Sequence, residues 1–193
     1  MVNLAKVEQY RDEAIGLKPV YSDLGNITEI LLKNGDIVQD RRTVRSVVRA
    51  LAASYAIDLI AQRKLLKERL RRKGLLPFYL GNKRVFIPLK MRQAVTENDA
   101  VYGYVDMAYM GDYHEGSDKE CLIKLSNGMD IKVLSNHSTV LGAQHTGTVV
   151  LGILQADLDG DDPMEQVLAV ARVLGNAITG IVRQLDRIEQ NLK

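Results

Sequence analysis

The spacing of hydrophobic and polar positions changes several times along the 193 residues, and each change predicts an element. Leu4, Val7, Tyr10 and Ala14, separated by charges, predict a short helix ending near Gly16, with Pro19 barring its continuation. The run Ile27 to Leu32, the Asn34-Gly35 pair and Ile37-Val38 predict a β-hairpin, because Asn-Gly supplies the positive φ angles of a tight turn. From Asp40 the spacing is helical: Val44, Val47, Val48, Leu51 and Tyr55 share one face, with Asp40 as the expected cap. Asp58 is expected to cap a second stretch that turns Leu59, Leu66 and Leu70 inward and ends at Gly74, as two helices or one bent helix. Strand patterns follow: Leu75 to Leu80, a Gly81-Asn82 turn, Arg84 to Leu89 with Pro88 at an edge or strand end, and Ala100 to Met110. Cys121 to Leu125 and Met129 to Leu134 form a further hairpin about Asn127-Gly128, and the acidic stretch Gly111 to Glu120 is expected to be an exposed loop. Between Ser135 and Gln155 two readings stand: a helix capped by Ser135 or Asn136, or a β-branched strand from Thr148 to Leu154.

At the end of the chain Asp162-Pro163-Met164-Glu165 has the residues of a helix start. Val167, Ala171, Leu174, Ile178, Ile181, Leu185, Ile188 and Leu192 then alternate spacings of four and three, a heptad seam that predicts either oligomerisation or a helix clamped to its own domain. Gly175 and Gly180 each weaken this helix by about 1 kcal/mol, so it needs a partner surface. The expected architecture is α+β. A body over 1–155 joins a basic helical region (38–92) to an antiparallel β-rich region (75–134), and 156–193 supplies an acidic linker and a long C-terminal amphipathic helix.

Composition narrows the classes. With 46% hydrophobic residues the chain can bury one ordinary core, and no apolar run approaches a membrane span. Charges where a secretory signal needs an apolar stretch suggest a cytoplasmic protein. One cysteine, Cys121, and three histidines leave no internal disulfide and no zinc cluster to hold the fold. The net charge of +2 conceals a strong asymmetry: residues 38–92 carry 15 basic and 3 acidic side chains, while residues 93–193 carry 7 and 15. A surplus of twelve positive charges in one segment repels itself, and a polyanion would relieve that repulsion.

Signals for chemistry are weak. Asp157-Leu158-Asp159-Gly160-Asp161-Asp162 alternates carboxylates as a calcium loop does, but glycine is misplaced and Leu168 stands where the closing glutamate belongs. An acidic linker with a helix cap is the better reading, so no metal site and no cofactor is expected. No Walker or dinucleotide glycine pattern occurs, and Cys121, His137 and His145 belong to no catalytic motif, so an enzyme is not expected. Tyr102, Tyr104, Tyr109 and Tyr113 would suit a stacking platform for single-stranded bases, against the plainer reading of Tyr104 as a cross-strand residue.

The order of the blocks Ile37-Val38-Gln39-Asp40-Arg41, Ser54-Tyr55-Ala56, Arg84 to Leu89, Gly103-Tyr104-Val105 and Leu125-Ser126-Asn127-Gly128 resembles the bacterial competence transcription factor (ComK) family over roughly residues 27–150. The resemblance implies a DNA-binding transcription regulator that recognises paired AT-rich boxes, largely through the minor groove, as an oligomer. Three features depart from the family. Tyr104 stands where its members usually have tryptophan, the segment 58–73 is longer and more basic, and the heptad helix has no counterpart.

Charge and resemblance agree on double-stranded DNA as the partner. The residues expected to meet it are Arg41, Arg42, Arg45 and Arg49, then Arg63, Lys64, Lys67, Arg71, Arg72 and Lys73, and Lys83 and Arg84 at a hairpin tip. The plain alternative is a solvated charged face. The rival function is a non-enzymatic regulator, of phage or host, that seats the same basic patch on an acidic protein partner. Either would work as a homodimer or higher oligomer, without a membrane.

Overall fold

The computed structural model describes residues 4–159, apart from 24, 98 and 117–119. It is α+β, as the sequence predicts, and centres on a six-stranded antiparallel sheet. In chain order the strands are β1 (Ala14–Ser22), β2 (Gly25–Leu32), β3 (Ile37–Asp40), β4 (Phe78–Tyr79), β5 (Val85–Lys90) and β6 (Tyr102–Asp106). Their order across the sheet is β3-β2-β1-β6-β5-β4, so two meanders meet where β1 lies against β6. β7 (Met110–Glu115), β8 (Cys121–Leu125) and β9 (Asp130–Val133) form a second antiparallel sheet.

Helices α1 (Val44–Ser54) and α2 (Leu59–Leu70) carry the chain from β3 at one edge to β4 at the other. Five interstrand steps amount to about 24 Å, and helices of 11 and 12 residues are each about 17 Å long. Two helices in series therefore suffice to cross the sheet. One face of the sheet packs Leu17, Ile30 and Phe86 against Val44, Val47 and Leu51 of α1. The opposite face packs Ile15, Ile87 and Val105 against Ile123 and Ile131 of the second sheet and against Val140, Val150 and Leu154 of α3 (His137–Asp159). Leu66 of α2 joins this second core. A Cβ at Gly147 would lie 2.7 Å from Ile87, so α3 can approach β5 this closely only with glycine there.

Several elements follow the pattern read from the sequence. The hairpins about Asn34-Gly35 and Asn127-Gly128 form, with Gly35 and Gly128 at positive φ. Asp58 caps α2 by accepting from the backbone N–H groups of Ile60 and Ala61. Asn136 begins α3, its side-chain oxygen accepting from the Thr139 N–H at 2.9 Å. α1 and α2 are separate helices, broken where Ala56 takes φ +56°. Pro88 lies on β5 beyond the reach of β4, where a missing N–H costs no ladder bond.

Others differ. The opening segment makes only a 3-10 turn, Val7–Tyr10, and Pro19 sits within β1 instead of ending a helix. β6 pairs β1 only at Gly16 and Leu17, so Pro19 has a strand neighbour on one side alone and is tolerated. Asp40 does not cap α1; Thr43 is the N-cap residue, and Asp40 turns inward. α2 ends at Arg71, a left-handed C-cap three residues before the expected Gly74. Strand β4 covers only two of the six residues from Leu75 to Leu80, and the expected strand from Ala100 to Met110 ends at Asp106. Met110–Glu115 is paired strand, so the expected loop from Gly111 is shorter. Thr148 to Leu154 is helical: Thr146 and Thr148 turn their hydroxyls back to the carbonyls of Gly142 and Gln144, which accommodates β-branched residues in a helix. α3 also runs through residues 156–159, expected to be linker. The heptad positions Val167 to Leu192 and residues 160–162 of the calcium-like run lie outside the described residues.

Candidate nucleic-acid interface

α1 is amphipathic because its apolar residues recur at three and four: Val44, Val47, Val48 and Leu51 are buried, which turns Arg45 and Arg49 outward on the face between them. α2 has a narrower inward stripe, with Leu66 buried and Leu59 and Leu70 half-buried, so Arg63, Lys64 and Lys67 stand in solvent. The helix is fixed to the sheet by Gln62. Its side-chain amide donates to the Tyr79 carbonyl and accepts from the Tyr79 N–H, both at 2.9 Å, which completes β4 as a neighbouring strand would. Arg41 before α1, Arg71 and Lys73 after α2, and Lys83 at the tip of the β4–β5 turn are also exposed. Arg41, Arg45, Arg49, Lys64, Lys67, Arg71, Lys73 and Lys83 make no hydrogen bond or ion pair among the described residues.

Two of the expected DNA contacts are engaged inside the protein. Arg42 donates to both carboxylate oxygens of Glu8, at 2.9 and 2.6 Å, and to both of Asp40, at 2.9 and 2.6 Å. Its guanidinium pKa is raised by these bonds, Asp40 first. Glu8 lies below its ordinary value, chiefly through the bond from Arg42. At Asp40 burial is the largest influence and pushes upward, but the bonds from Arg42 and the Val7 N–H together outweigh it and hold the carboxyl low. Arg42 is a tie between the N-terminal segment and β3.

Arg84 is more deeply committed. Its Nε donates to Asp106 at 2.9 Å and its Nη1 to the Arg11 carbonyl at 3.0 Å and the Tyr55 hydroxyl at 2.8 Å, while Nη2 donates to the Ala14 carbonyl. Asp106 is 0% exposed, and burial raises its pKa against the pull of Arg84. A guanidinium that neutralises a buried carboxylate cannot also probe a groove without leaving that charge unpaired. Arg42 and Arg84 therefore leave the set of candidate contacts. Arg72 and Arg63 are exposed but anchored. The first donates to the Thr146 hydroxyl of α3 at 2.6 Å, the second to the Gly74 carbonyl at 3.4 Å.

The tyrosines do not form one platform. Tyr109 and Tyr113 pack against the core under the second sheet, while Tyr104 belongs to the α1 side, edge-on to Phe78 with ring centroids 5.2 Å apart. Tyr104 is cross-strand, opposite Leu17 and Pro88, and the backbones come so close that a Cβ at Gly103 would lie 2.4 Å from the Leu17 carbonyl oxygen. Burial raises the Tyr104 pKa, while Arg63 and Arg45 pull it down. Ile60 was missed. It is 83% exposed on the outward side of α2, and the signal was its position off the stripe of Leu59, Leu66 and Leu70.

Among the described residues no group of three or more histidine, cysteine or carboxylate side chains is arranged to hold a metal, and no helix is long and apolar enough to cross a membrane. Comparison with protein-family models, curated proteins and solved structures finds no significant match.

Proposed function

We propose that the protein binds double-stranded DNA through the outward faces of α1 and α2 and acts as a transcription regulator of the competence-factor type, reading AT-rich sites as a dimer or higher oligomer. The observation that carries this reading is the set of uncommitted cations on two consecutive helices, Arg45, Arg49, Lys64 and Lys67, extended by Arg71 and Lys73. Cations with no partner among the described residues are available to phosphates, and each contact releases condensed counterions. No bond forms or breaks in this function. Phosphate contacts set register and orientation, and guanidiniums inserted into a narrow AT-rich minor groove supply preference.

The test is fluorescence-anisotropy binding to AT-rich and GC-rich duplexes over a salt series, using the wild type and a variant with Arg45, Arg49, Lys64 and Lys67 all changed to Gln. The expected result is tight, salt-dependent binding by the wild type, with the log–log salt slope reduced by about 3–4 in the variant. An unchanged slope would move the interface elsewhere. No duplex binding by the wild type at low salt would overturn the reading in favour of an acidic protein partner.

A further inference from the structure

We propose that the groove between the start of α3, the open edge of β5 and the segment joining α2 to β4 binds a small organic carboxylate, with Arg72 taking the carboxylate and the apolar lining taking the body of the molecule. This site does not rest on the DNA reading and uses none of Arg45, Arg49, Lys64 and Lys67.

The groove exists because the sheet ends unevenly. β4 pairs β5 only at Val85 and Phe86, so at Pro88 the edge has no strand beside it among the described residues. Leu75 and Pro77 line the groove from the approach to β4, Pro88 and Tyr102 from the sheet, and Gly142 from α3. Its volume of about 610 Å³ falls in the range usual for small-molecule sites. Leu75 and Tyr102 are both exposed, so an apolar body seated there removes their surface from water. An extended peptide fits less well, because Pro88 has no N–H with which to pair an added strand.

Arg72 supplies the charge. Its Nη1 donates to the Thr146 hydroxyl at 2.6 Å, and that hydroxyl donates in turn to the Gly142 carbonyl at 2.7 Å. Thr146 is buried, so the guanidinium is tied to a fixed point of α3. Nε and Nη2 make no hydrogen bond among the described residues. These two N–H groups lie along one edge of the planar guanidinium, and such an edge meets both oxygens of a carboxylate at once. Because Thr146 already holds the side chain, less ordering remains to be done when a ligand binds.

Gly142 gives independent support. Glycine inside a helix is destabilising relative to alanine, and at Gly147 the fold supplies the reason, since a Cβ there would crowd Ile87. At Gly142 a Cβ would find nothing within 4 Å, and the backbone is not left-handed. The packing of the protein therefore does not require a missing side chain at this position. What the glycine does is leave the groove open down to the backbone of α3, beside the residues that hold Arg72.

The measurement is isothermal titration calorimetry of benzoate, indole-3-acetate and octanoate, each beside its neutral amide, on the full chain as wild type, Arg72→Gln and Gly142→Leu. At least one acid should bind the wild type with a Kd below about 1 mM, the scale expected of ligands this small. Its amide should bind about tenfold more weakly or worse, having lost the charge-assisted bonds to Arg72. In Arg72→Gln the acid and its amide should differ by less than about twofold. Gly142→Leu puts a side chain into the open space and a better helix former into α3, so it should melt no lower than the wild type while binding the acid about tenfold more weakly or worse. No acid bound by the wild type, equal binding of acid and amide, or undiminished binding by Gly142→Leu would each overturn the site. Gly142→Leu leaves the Arg72 to Thr146 bond in place, so it decides the question even if Arg72→Gln fails to fold.

Discussion

The arginines of the basic segment divide into two populations that composition cannot separate. Arg45 and Arg49 project from α1 into solvent without partners among the described residues, whereas Arg42 and Arg84, from the same stretch of sequence, satisfy carboxylates and carbonyls within the protein. The difference lies in what stands opposite. Asp40 is almost fully buried and Asp106 wholly so, and each requires a cation wherever it is ionised. A guanidinium suits this task because its planar fork can serve several acceptors at once, as Arg84 does with two carbonyls, a hydroxyl and a carboxylate. Part of the surplus of positive charge is thus structural, and the remainder is what the proposed DNA interface would use.

The comparison breaks most readily at Arg84. Arg84→Ala strands the Asp106 carboxylate and should cost about 3–5 kcal/mol in urea unfolding; a loss below 1 kcal/mol would show that Asp106 is relieved in another way. Arg84→Met combined with Asp106→Leu should recover most of that loss, because a packed apolar pair of similar volume replaces the buried charges.

Arg42→Ala should have a smaller effect, about 1–2 kcal/mol near neutral pH, since the side chain is 32% exposed and water can replace part of its role. This effect carries a pH signature. Glu8 and Asp40 have folded pKa values below their ordinary 4.5 and 3.8, so their contribution is fully present above those values and is lost as pH falls through the lowered ones. The gap between wild type and variant in urea midpoints should close over that acidic range, and a gap independent of pH would rule out the ion pairs as its source. Asp106 has the opposite sign: its folded pKa is raised, so its linkage favours the fold at low pH and is lost as pH rises through the folded value.

The smallest stability effect is expected on the outward population. Changing Arg45, Arg49, Lys64 and Lys67 to Gln, singly, should alter stability by no more than about 0.5 kcal/mol each. A larger loss in thermal melts would mean that these side chains also support the fold.

What was legible in the sequence was local. Asn34-Gly35, Asn127-Gly128 and the Asp58 cap act through neighbours within four residues, and all three form. The outward faces of α1 and α2 follow from helical spacing in the same way. The misreadings involve distant partners. Arg84 meets Asp106 across 22 positions and Arg42 meets Glu8 across 34, and no local pattern marks either pairing. Pro19 bars continuation of a helix, but a strand with one open side accepts proline, and which side is open depends on β6, far along the chain. The acidic stretch from Gly111 looked solvated because its charges hid a strand that pairs with Cys121–Leu125.

The meeting of β1 and β6 has a consequence for the order in which the protein can be made. Leu17 pairs with Tyr104, 87 positions later, so the central seam of the large sheet is its last possible closure during synthesis. β1, β2 and β3 and both basic helices leave the ribosome first, with one side of β1 still open. Closing so long a loop costs about 3 kcal/mol more than closing a hairpin, and topologies rich in such pairings fold slowly. During that interval the β1 side is an exposed strand edge flanked by Ile15 and Leu17, the kind of template on which unfinished chains associate. Pro19, which is unable to donate from this strand, is placed to limit such mispairing until β6 arrives.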